Sequence, residues 1–145
     1  MGNNENDILN KFKVNIISWY NFKKLETILL IGNIDRVIVQ FLCKKFNKVV
    51  ILDENISEKD NLYKISNEYK NLSIENQNFL SRNNEKFDYI LLMNYFENSS
   101  NAEIAEFINK ISNCVYDNGK ILAIFENKIG VKNFVNKNFS RIFKK

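Results

Sequence analysis

The sequence predicts an open, doubly wound α/β fold: a mainly parallel sheet of five or slightly more strands, with helices on both faces. Short continuous apolar runs, Ile28–Ile31, Val49–Leu52 and Tyr89–Met93, read as buried strands. Between them lie segments whose apolar residues recur at helical spacing, as strand–helix–strand units require. Gly32 ends the first run and Asp53 ends the second, roughly the 20-residue separation of a nucleotide-binding crossover.

Taken in order, Ile8, Leu9, Phe12 and Ile16 predict a first helix over residues 5–17, leading into Trp19-Tyr20 and packing on the sheet. A strand over 27–31 follows, and Val37, Ile38, Phe41 and Leu42 mark one face of a helix over 35–46. Residues 48–52 return as a second strand, so the three elements form a βαβ unit with parallel strands and a right-handed crossover. Leu62, Ile65 and Tyr69 place a weak helix within 57–69, and Leu72–Ile74 forms a third short strand. Residues 86–93 form a fourth strand, and Ile104, Phe107, Ile108 and Ile111 define the next helix. Asp117-Asn-Gly119 predicts a turn into a fifth strand over 120–125. From Glu126 the apolar residues have no clear period, and a terminal helix with one further strand is the expectation.

A chain of 145 residues with 45% apolar content supports one core, so a single domain is expected: lead-in to residue 25, core 26–126, C-terminal segment 127–145. The 26 Asn residues and the absence of Pro and His indicate a coding bias toward A and T, which weakens arguments from composition. A net charge of +4 comes from lysines interspersed with nearly as many acids, so nucleic acid is not the expected partner. No apolar run approaches the roughly 18 residues of a membrane span, and the N-terminus lacks signal-peptide character, which predicts a cytoplasmic protein. Cys43 and Cys114 fall on or beside apolar helix faces and read as buried thiols. Without His, and without a close set of Cys and carboxylates, no transition-metal site is expected.

Several blocks together resemble a bacterial class I S-adenosylmethionine-dependent methyltransferase family associated with cell-envelope glycan synthesis, with a Rossmann-like core. Trp19-Tyr-Asn-Phe22 is similar to its Trp-Tyr-x-Phe entry, and Leu29-Leu-Ile-Gly32 to its Leu-Glu-Ile-Gly block. Val49–Asp53 matches the second strand and its acid, Asn71–Ile74 with Asn78-Phe79 the third strand and its polar residue, and Phe87–Ile90 with Glu97 the fourth. Ala123–Lys132 parallels an Ala-Ile-Glu-Asn-x-x-Gly-Leu-Lys run, with one residue of difference at Phe125. The resemblance implies S-adenosylmethionine as cofactor, held by Gly32, Asn33, Asp53, Asn78 and, past the fourth strand, Asn94. It also implies a small-molecule or glycan substrate.

The departures point the other way. Leu30 stands where that family has an acid that engages the methionine amino group, and Ile34 and Arg36 replace the second and third loop glycines. A β-branched residue resists positive φ and projects into space a cofactor would use. The chain thus reads as a degenerate, truncated member, with an inactive binding module that works through a protein partner or homodimer as the alternative.

Individual residues keep two readings. Gly32 admits a cofactor or simply turns the strand into the helix; Asp53 binds ribose hydroxyls or caps the next helix. Arg36 with Asn33 grips a phosphate, making a third function, or lies on the surface. Trp19, Tyr20 and Phe22 are core or an interface. Glu97 and Glu126 are the candidate bases, without an identifiable partner, so no catalytic role is assigned. Asn127 and Lys128 are substrate contacts or plain loop.

Overall fold

A computed structural model describes residues 11, 14–23, 26–52, 59–82, 84–96 and 99–125. Its elements are β1 (Thr27–Gly32), α1 (Arg36–Cys43), β2 (Lys48–Leu52), α2 (Lys59–Ser66), β3 (Leu72–Glu75), α3 (Phe79–Arg82), β4 (Phe87–Met93), α4 (Asn101–Ser112) and β5 (Val115–Ile124). The strands form one sheet in the order β3-β2-β1-β4-β5, and every neighbouring pair is parallel. The expected architecture is present, and strand order reverses between β1 and β4.

Period-two alternation of the buried strands divides the core into two layers. Ile28, Leu30, Val49, Ile51, Tyr89 and Leu91 face Ile38, Val39 and Leu42 of α1 and Ile65 of α2. Leu29, Ile31, Val50, Leu52, Ile90 and Leu92 face Phe79 of α3 and Ile108 and Ile111 of α4. Helices therefore cover both faces, and the central runs of β1, β2 and β4 are apolar on both sides. The layers also separate Cys43 from Cys114, which are both free thiols, as expected. Burial pushes the Cys43 thiol up to about 11 and raises Cys114 as well.

Helix α1 starts at Asp35, whose carboxylate accepts the Val37 N–H at 2.9 Å. It stops at Cys43, three residues short of expectation, because Phe46 folds back into an aromatic group. Phe46 lies edge-on to Phe22 and Tyr89 at 5.3 and 5.7 Å, and Phe22 to Tyr89 at 5.1 Å. The Asn71 side-chain amide secures this bend by donating to the Cys43 and Phe46 carbonyls, both at 2.8 Å. Carbonyls at a helix end need such donors, and this one arrives from the far side of α2. Helix α4 carries a capping box, in which Glu103 accepts from the Ser100 N–H and hydroxyl at 2.7 Å each. Those bonds hold the Glu103 carboxyl below the usual range.

Two expectations need correction. β5 begins at Val115, five residues early: Val115 and Lys120 stand opposite Phe87 and Tyr89, so residues 116–119 bulge out within one strand. The predicted turn is that bulge. Gly119 sits where a Cβ would lie 2.9 Å from the Asp88 carbonyl, which only glycine permits without movement. Trp19 is not core. Its side chain is 73% exposed, edge-on to Tyr20, and donates from Nε1 to the Ile16 carbonyl at 2.5 Å. Phe22 is buried and Tyr20 half-buried, so the lead-in anchors through them. The predicted C-terminal helix and strand lie outside the described residues, as does most of the first helix.

At the amino ends of β1 and β4, Asp88 accepts from the Thr27 N–H at 2.9 Å and hydroxyl at 2.8 Å, while the Asp88 N–H donates to the same hydroxyl at 3.1 Å. Asp88→Ala strands both Thr27 groups in a half-buried place, so urea unfolding should show a loss of about 1–3 kcal/mol. With roughly a hundredfold less thiolate than an ordinary cysteine, folded Cys43 should resist iodoacetamide at pH 8. Adding denaturant should restore ordinary reactivity.

Candidate functional site

In an open parallel sheet the ligand crevice lies outside the carboxyl ends of the strands, where strand order reverses. Here that place is the junction of β1 and β4. Gly32, at φ +107°, ends β1 directly against Met93, and the Asn33 N–H donates to the Met93 carbonyl at 2.8 Å. A Cβ on Gly32 would sit 2.1 Å from that oxygen. The glycine is thus demanded by strand-end packing, whatever lies above it.

Beyond it, exposed Asn33 faces outward and Ile34 turns inward, only 7% exposed, into the layer that holds Leu30, Ile38 and Met93. Leu30 itself is fully buried. Arg36 reaches across to Glu68, just past α2, at 3.1 Å, with both side chains half-exposed. The pairing of Arg36 with Asn33 around a phosphate is not what the structure shows: the guanidinium is engaged by a carboxylate. The Asp35 carboxylate at the helix start further disfavours an anion there.

Asn94, which follows β4, has φ 51°, a left-handed conformation that asparagine tolerates better than most residues. Its N–H donates to the Ile124 carbonyl at 2.9 Å, carrying the β4 end over the β5 end. Gly32, Asn33 and Asn94 are thereby brought together around Met93. Asn78 is exposed beyond β3, where its N–H donates to Asn76 Oδ1 at 3.0 Å and its carbonyl accepts from Ser81 and Arg82 at the start of α3. The strand it follows, β3, stands two strand spacings from β1, roughly 10 Å. Asp53, one step past the end of β2, lies outside the described residues, as do Glu97, Glu126, Asn127 and Lys128.

An aromatic group absent from the sequence reading borders the same end. Tyr95 stacks on Phe107 at 4.3 Å, and Phe96 lies 6.0 Å from Phe107 and 6.4 Å from Phe125, which is 45% exposed. Its sequence signal is two aromatic residues one step past β4, after Asn94, and one directly after β5. Among the described residues no three or more His, Cys, Asp or Glu gather to hold a metal, and no helix is long and apolar enough to cross a membrane.

No model of a protein family matches the sequence, and no curated protein matches it. Solved structures do match. A coclaurine N-methyltransferase bound to N-methylheliamine and S-adenosylhomocysteine is similar over 81% of this chain, with TM-score 0.65 and 17% identity. Haemonchus contortus phosphoethanolamine N-methyltransferase 1, in complex with phosphoethanolamine and S-adenosylhomocysteine, is similar over 92%, with TM-score 0.72 and 14% identity. The N-methyltransferase NodS from Bradyrhizobium japonicum is similar over 85%, with TM-score 0.64 and 12% identity. This chain spans 35%, 31% and 70% of those chains respectively. The neighbours are S-adenosylmethionine-dependent methyltransferases, and at these identities the shared property is the Rossmann-like fold.

Gly32→Ala combines an unfavourable φ with a clash against backbone, so thermal or urea unfolding should show a loss of about 2–4 kcal/mol with no ligand present. A loss below about 0.5 kcal/mol would mean that the strand ends do not need the glycine.

Proposed function

We propose that this chain is a class I S-adenosylmethionine-dependent methyltransferase-like domain that takes the adenosyl cofactor across the carboxyl ends of its strands and acts on a small molecule or glycan. The observation that supports this most is the sheet itself. Its five-stranded, all-parallel fold is similar, at TM-scores of 0.65 and 0.72, to enzymes whose structures hold S-adenosylhomocysteine. The aromatic group around Phe96 and Phe125 lies where an acceptor would enter beside β4 and β5.

The residues suit the cofactor at one end only. Asp53 offers two acceptors to a ribose diol, and exposed Asn33 and Asn78 offer amide donors and acceptors toward a nucleoside. The amino-acid end meets Leu30 and Ile34, which are buried and apolar. That same pair favours a second reading, in which the domain has lost turnover and works as a binding module with a protein partner or a second copy.

Titration calorimetry with S-adenosylhomocysteine separates the two readings. The first expects saturable heat, weakened roughly ten- to hundredfold by Asp53→Asn through loss of a charge-assisted hydrogen bond of roughly 1.5–3 kcal/mol. No heat at millimolar ligand would leave the binding-module reading alone.

A further inference from the structure

Resting on the cofactor reading above, we infer that the crevice recognises an adenine nucleoside with an uncharged 5′ tail, a 5′-thionucleoside of the 5′-methylthioadenosine kind, and gains nothing from an amino-acid tail. A nucleotide bound to such a sheet lays its sugar toward the end of β2 and its charged tail over the turn after β1. The β1 turn is therefore where a tail must find its partners, and here it is already filled.

A zwitterionic tail needs an acceptor for its ammonium group and a cation for its carboxylate. Leu30 and Ile34 offer neither, and both are packed in one apolar layer with Ile38 and Met93. Gly32 provides no opening, because the space its missing side chain would occupy is taken by the Met93 carbonyl. The Met93 carbonyl also accepts the Asn33 N–H, so that donor points into the strand junction and away from a ligand. The acid of the turn, Asp35, caps α1 through Val37, and its cation, Arg36, is paired with Glu68. A charged tail would surrender its water here with no opposite charge to meet it, whereas a methylthio group carries no charge to desolvate. The turn thus offers no partner to an amino-acid or phosphate tail carried beyond the 5′ atom.

Calorimetry on the whole chain with 5′-methylthioadenosine, S-adenosylhomocysteine and ADP tests this. The expected result is that 5′-methylthioadenosine binds at least as tightly as S-adenosylhomocysteine, and that ADP binds tenfold or more weakly than either. S-adenosylhomocysteine tighter by threefold or more would overturn the inference while leaving the cofactor reading intact. ADP as tight as 5′-methylthioadenosine would overturn the exclusion of charge. Silence from all three ligands would overturn the cofactor reading itself, and the inference with it.

Discussion

The contact between the end of β1 and the carbonyl of Met93 governs the rest of the molecule. Parallel strands meet there at the point where strand order reverses, with Gly32 directly opposite Met93 in the β1–β4 register. A continuous path of hydrogen bonds runs across the carboxyl edge, from the Asn33 N–H to Met93 and from the Asn94 N–H to Ile124. Three strand ends are thereby tied by backbone alone. The cost is conformational, since Gly32 adopts φ +107° and Asn94 φ 51°. Such geometry persists only where surrounding structure enforces it, and both positions lie at the crevice.

The opposite edge is held by side chains. Asp88 and Thr27 close the amino ends of β1 and β4, while Phe22, Phe46 and Tyr89 interlock the lead-in, the α1–β2 connection and β4. Lys45 adds its ammonium over the Phe22 ring at 5.3 Å. Rigidity at the amino edge frees the carboxyl edge for polar loops, which is the usual division of labour between scaffold and site in a parallel sheet.

The fold was legible because buried parallel strands leave a local mark: β1, β2 and β4 are continuous apolar runs, and α1 and α4 carry helical spacing between them. What was not legible depends on distant partners. Nothing near Phe46 signals that Asn71, across α2, will cap the bend that ends α1. The β5 bulge depends on β4 pairing with Val115 as well as Lys120, which no local pattern encodes. Trp19 misled because its size argues for burial, whereas its neighbours Tyr20 and Phe22 suffice to anchor the lead-in. At the site, Gly32 and the awkwardness of Ile34 were readable from type and spacing. That Met93 is the reason for the glycine was not.

This distinction changes what the glycine at the crevice means. If Gly32 served only a ligand, loss of binding would free the position to change. Because it serves the β1–β4 junction, folding retains it whether or not anything binds. Leu30 and Ile34 lie under no such constraint from backbone geometry, and each contributes apolar burial that a carboxylate and a glycine could not. Burying an aliphatic side chain stabilises by about 1.5–3 kcal/mol, while an unpaired buried carboxylate destabilises strongly. Stability alone therefore favours apolar residues at this turn. The glycine and the apolar pair beside it therefore both report the fold.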